Sequence, residues 1–156
     1  MSERKMRVLS IGAQPDDADN SAGGLLTKLH RKGWEVRMLS VTDGSAGTYK
    51  KELGGQELKL MRRAEAARSG ALLDARYDVL DHPDGRLEVT LEIREELIRY
   101  IRRFKPDLII TNRLNDYHAD HRNTAQLVQD ASFFLTVPCI CADTPYMDHM
   151  PVVLYW

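Results

Sequence analysis

The stretch MRVLSIGAQPDDADN, Met6 to Asn20, decides the fold. Its first half, residues 6–12, is a short apolar run without the strict alternation of a half-exposed strand, and it reads as a strand covered on both faces. Its second half belongs to a polar loop, residues 13–20, that carries two adjacent carboxylates. Beyond the loop, residues 21–32 place Leu25, Leu26 and Leu29 at helical spacing, and Gly33 is a stop signal. Strand, polar loop and helix then recur. Residues 34–41, 77–80, 107–111 and 151–156 read as strands, and residues 57–73, 91–104 and 119–135 as helices. Residues 42–49 read as a glycine-containing loop, and Pro83-Asp84-Gly85 as a turn.

Strands alternating with helices predict an α/β protein: a Rossmann-like three-layer sandwich around a mostly parallel sheet, with right-handed crossovers. Residues 1–156 are read as a single domain. The last run, Val152 to Trp156, is too apolar to finish such a domain comfortably, so the chain is expected to be truncated at its C-terminal side.

Composition narrows the class. With 43% apolar and 29% charged residues, the chain has the make-up of a soluble globular protein. A net charge of -1, from 22 basic and 23 acidic side chains, gives no sign of a nucleic-acid or membrane-surface partner. No apolar run approaches the roughly 18 residues that span a bilayer. The charged N-terminus carries no signal peptide, which makes the cytoplasm the expected location. Cys139 and Cys141 form a lone CxC with no second pair, and read as structural thiols in a reducing compartment.

Two clusters carry the chemistry. Gln14-Pro15-Asp16-Asp17 follows the first strand, and His118-Ala119-Asp120-His121 follows the fourth. If the strand order is 3-2-1-4, both lie beyond the carboxyl ends of neighbouring strands, where ligands bind at the topological switch point. Catalytic zinc takes about three protein ligands from His and carboxylate and keeps an open position. Asp17 and His121 are two such ligands, Asp16 is placed to act as base, and His118 to assist the leaving group, with Asp120 orienting its imidazole. Either cluster alone is weak evidence. Loop carboxylates often cap the next helix, and helix starts favour Asp.

Together the motifs resemble the LmbE-like, PIG-L family of zinc-dependent de-N-acetylases. The family's AHPDD motif is similar to Ala13-Gln14-Pro15-Asp16-Asp17, followed by a small-residue helix start at Ser21-Ala22-Gly23-Gly24. Its threonine-glycine loop resembles residues 42–47, its Arg-x-x-Glu helix Arg62-Arg63-Ala64-Glu65, and its HPDHR motif residues 118–122; the turn His82-Pro83-Asp84-Gly85 also fits. The resemblance implies an LmbE-like fold and hydrolysis of the acetamide of an N-acetylated sugar or glycoconjugate. It implies Zn2+ or another divalent metal held at Gln14, Asp17 and His121, and Asp16 as general base. It implies His118 as acid or oxyanion stabiliser, with Asp120 behind it. Arg62 is expected near the substrate, or else in an i, i+3 ion pair with Glu65. Tyr117 is expected to wall a sugar site or to pack. Self-association as a homo-oligomer stays open.

Gln14 departs from the family, whose first ligand is His. A neutral amide oxygen suits zinc less well than an imidazole nitrogen. Three readings follow: Gln14 ligates weakly or through water, the site holds metal poorly and activity is impaired, or the substitution makes an inactive form. Ala119 replaces the proline of the second motif, and the family's domain extends past Trp156. Two rivals stand beside the enzyme reading. One is a non-catalytic relative that binds a sugar-like ligand without tight zinc. The other is a nucleotide-binding domain, opposed by the lack of GxGxxG or GxxxxGK[ST] in the first loop. His30 is expected on the solvent side of its helix, and His82 in a structural role.

Overall fold

The structure is a computed structural model and describes residues 4–156. Five strands form one parallel sheet: β1 (Arg7–Gly12), β2 (Glu35–Thr42), β3 (Arg76–His82), β4 (Leu108–Thr111) and β5 (Val152–Tyr155). Their order is β3-β2-β1-β4-β5, so the expected 3-2-1-4 arrangement holds and β5 extends it past β4. Four α-helices connect them: α1 (Asp17–Arg31), α2 (Gln56–Ala71), α3 (Leu91–Phe104) and α4 (Ala119–Phe134). The short 3-10 turn Lys51–Leu53 precedes α2.

The sheet is covered on both faces, which is why β1 reads as a continuous apolar run. Leu9 and Ile11 enter a core with Leu97, Ile98 and Ile101 of α3 and Leu127 and Val128 of α4. Val8 points the other way, into a core with Ala18, Ala22 and Leu26 of α1 and Ala66 of α2. Helix α3 starts where Thr90 caps the amide of Ile93, and stops at Lys105, whose φ of 56° precedes Pro106.

Helix α1 begins at Asp17, four residues before the expected start. Its core face is built from Ala18 and Ala22 as well as Leu26, and a count of leucines alone misses the two alanines. His30 is half-buried rather than solvent-facing. His82 has the structural role expected of it, its Nε2 lying 2.7 Å from Glu96 of α3. Cys139 is exposed, Cys141 is buried, and both are free thiols. No helix among the described residues is long and apolar enough to cross a membrane.

Candidate active site

Strands β1 and β4 are neighbours with Ile11 beside Thr111, so the loops after them emerge side by side. Gly12 permits a close turn into α1: a Cβ there would lie 2.5 Å from the Asp17 Cβ. The first loop is fixed at Ala13, whose carbonyl accepts from the Thr42 amide and from the hydroxyls of Ser40 and Thr42. The Ala13 amide donates to Asp17 Oδ2 at 2.9 Å and to Asn112 Oδ1 at 3.1 Å, and the Gln14 amide donates to Asp17 Oδ2 at 3.1 Å. Asp17 thus holds its own loop while turning toward the switch point.

The two motifs meet there. His121 Nε2 lies 2.9 Å from Gln14 Oε1 and 3.5 Å from Asp17 Oδ2. Its other ring nitrogen lies 3.3 Å from Asp116 Oδ1. Burial pushes the Asp116 carboxyl up, but the His118 amide and the His121 and Arg113 side chains outweigh it and hold Asp116 below the ordinary carboxylate range. The Gln14 amide nitrogen donates to Asp84 Oδ1 at 2.9 Å and to Asp120 Oδ2 at 3.2 Å.

One expected site residue, Asp120, sits differently from its expected role. The Asp120 carboxylate is not behind His118. It accepts from Gln14, from the Gly85 amide at 2.7 Å and from the Leu87 amide at 3.2 Å, because its place in the first turn of α4 faces the turn after β3. His118 is instead the N-cap of α4, its Nδ1 accepting from the Asp120 amide at 3.2 Å. With Nδ1 an acceptor, Nε2 carries the hydrogen. Arg62 does not line the cleft. It pairs with Glu65, the expected i, i+3 contact, and reaches Asp16 at 3.7 Å. Desolvation and the Asp17 charge raise the Asp16 carboxyl above its usual range, and Arg62 opposes them.

A cleft of about 540 Å³ is lined by Gln14, Asp16, Asp17, Tyr117, His118 and His121, facing the 46–49 loop and Asp84-Gly85. Tyr117 walls the cleft rather than packing inside: it is 86% exposed and meets the His118 and His121 rings edge-on at 6.0 Å. Asp84, Asn112 and Asp116 were not anticipated from sequence. Asp84 lay inside a recognised turn and Asp116 just before the His118 motif, neither with an assigned role, and Asn112 is signalled only by following β4. A second hollow, of about 500 Å³, lies at the opposite strand ends beside Arg4, Arg7 and Lys105; Asp107 and Glu35 already engage the two arginines.

Fold and site together define an α/β protein with an acid- and histidine-rich cleft at its switch point. The sequence pattern of the GlcNAc-PI de-N-acetylase (PIG-L) family matches residues 9–132, and the chain belongs to that family. Diacetylchitobiose deacetylase of Thermococcus kodakarensis is 35% identical over 136 residues, which are 85% of this chain and 51% of that protein. The chain therefore spans about half the length of this curated relative. N,N'-diacetylchitobiose deacetylase from Pyrococcus horikoshii superposes with a TM-score of 0.88 at 31% identity, over 96% of this chain and 60% of that one. The 4-carboxy-2-hydroxymuconate hydratase of Pseudomonas putida shares the fold, with a TM-score of 0.85 at 22% identity over 94% and 64% of the two chains.

Proposed function

We propose that this chain carries the active site of a metal-dependent de-N-acetylase acting on an N-acetylated sugar or glycoconjugate. The convergence of Gln14 Oε1, Asp17 Oδ2 and His121 Nε2 carries the reading. Without a cation, Nε2–H donates to Gln14 Oε1; a shift of that hydrogen to Nδ1, 3.3 Å from Asp116 Oδ1, would free the Nε2 lone pair beside the two oxygens, a set of three donors that suits a cation. Tetrahedral zinc with bonds of about 2.1 Å separates its ligands by about 3.4 Å, close to the 3.5 Å between His121 Nε2 and Asp17 Oδ2, while the 2.9 Å hydrogen-bond spacing of His121 Nε2 and Gln14 Oε1 would open by about half an ångström around the ion. Among the described residues no group of three His, Cys, Asp or Glu forms a metal cluster, because the third donor is the Gln14 amide. A zinc ion or another divalent cation held by these atoms would supply Lewis-acid polarisation of the acyl oxygen and acidify water.

The chain's own groups do the rest. Asp16, 64% exposed at the cleft, takes the proton of the attacking water and returns it to the amine nitrogen as the C–N bond breaks. The Nε2–H of His118 donates to the acyl oxygen as charge develops there. That tautomer, fixed by the N-cap, favours the oxyanion role over proton donation to the amine. Tyr117 offers an apolar face to the sugar ring. The diacetylchitobiose deacetylases named above support an N-acetylated sugar as substrate.

The test is acetate release from N,N'-diacetylchitobiose with added divalent metal. Asp16→Asn is expected to lower kcat by about 10²–10⁴-fold, and His118→Ala by about 10²–10³-fold. Unchanged turnover in both variants would remove the mechanism. Gln14 favours one second reading, a sugar-binding relative without tight metal. That reading gains if only the Gln14→His variant takes up metal and releases acetate.

A further inference from the structure

We propose that Asp84 and Asp120 clamp the Gln14 amide with its oxygen inward, making an oxygen-rich cation site with a weaker preference for zinc over manganese than a histidine would give. This rests on the proposed cation at Gln14, Asp17 and His121.

An amide can present either its oxygen or its NH2, and only the oxygen ligates. Here both amide hydrogens are engaged, one at Asp84 Oδ1 and one at Asp120 Oδ2. Turning the amide over would replace two charge-assisted hydrogen bonds with two oxygen–carboxylate contacts. The clamp is itself held. Asp84 is 8% exposed, its Oδ2 accepts from the Ala46 amide at 3.2 Å, and its own amide donates to Asp43 Oδ1. Asp120 is 1% exposed and accepts the amides of Gly85 and Leu87. Gln14 Oε1 is therefore held 2.9 Å from His121 Nε2.

The donor set becomes two oxygens and one imidazole nitrogen. Imidazole favours zinc, whereas carboxylate and carbonyl oxygens suit manganese and magnesium. Exchanging a nitrogen for an oxygen narrows the gap between the two classes. Asp84 acts through Gln14 and is a positioning residue.

Isothermal titration of the metal-stripped chain with Zn2+ and with Mn2+ tests this in four proteins: the parent, Gln14→His, Asp84→Asn and the double variant, each checked for folding by its melting transition. Gln14→His is expected to increase the zinc-over-manganese affinity ratio about tenfold or more. In the parent, Asp84→Asn is expected to weaken manganese by about 10–100-fold and zinc by less. In the Gln14→His background the same change should leave the ratio alone, because an imidazole presents nitrogen whichever way it turns. Equal ratios in the parent and Gln14→His, or an equal effect of Asp84→Asn in both backgrounds, would overturn the clamp while leaving the cation site standing. Failure of all four proteins to bind either metal would overturn both.

Discussion

Asp17 Oδ2 accepts the amides of Ala13 and Gln14 and also lies 3.5 Å from His121 Nε2, so the oxygen that shapes the loop is the one offered to the proposed cation. Asp43 plays the first part alone. Its Oδ1 accepts from the Ser45 and Asp84 amides, and Lys59 lies 3.5 Å from its Oδ2. Burial raises the Asp43 carboxyl, but Ser45, the Asp84 amide and Lys59 together bring it below the usual carboxylate range. A lowered folded-state value means that its stabilisation is complete above the ordinary carboxylate pKa and is lost as pH falls through the lowered one. The melting temperature of Asp43→Asn, followed from neutral pH to about pH 3, should therefore fall less on acidification than that of the parent. An identical pH dependence would show that Asp43 contributes nothing through its charge. Asp17 and His121 were legible in sequence because each sits in a short motif at a strand end. Asp84 and Asp116 were not, since their parts depend on contacts with Gln14 and His121 that only the fold creates.

At the scale of elements, helix α3 follows its sequence reading at both ends, where Thr90 caps it and Pro106 blocks its continuation. The connection from α4 to β5 carried no periodic signal and has no regular structure. Arg102 of α3, 1% exposed, organises it by donating to the carbonyls of Phe134, Leu135, Val137, Ile140, Cys141 and Thr144. These include the C-terminal carbonyls of α4, where the helix dipole favours a cation. In sequence Arg102 is one of several basic residues at the end of an amphipathic helix, with nothing to mark it as buried. Arg102→Met keeps the apolar stem and removes the donors, leaving buried carbonyls unsatisfied. Urea denaturation should register a loss of about 3 kcal/mol or more. A loss below about 1 kcal/mol would mean that water replaces the guanidinium without penalty.

At the scale of the molecule, a parallel sheet with a switch point between β1 and β4 joins motifs about a hundred residues apart, as the pairing of Gln14 with Asp120 and His121 shows. The fold was legible because short apolar runs bounded by loops mark the strands and helical spacing marks the helices, and strand alternation with helices admits few topologies. The cleft was legible only in outline, because orientation within it is set by side-chain contacts across three loops. The central claim is that a cation joins Asp17 to His121 with Gln14 as third donor. Anomalous diffraction from crystals of the zinc- or manganese-loaded chain tests it directly. The expected result is one strong peak at about 2.0–2.3 Å from Asp17 Oδ2, His121 Nε2 and Gln14 Oε1. A peak held by other residues, or no peak in crystals of a chain that still releases acetate, would contradict the account.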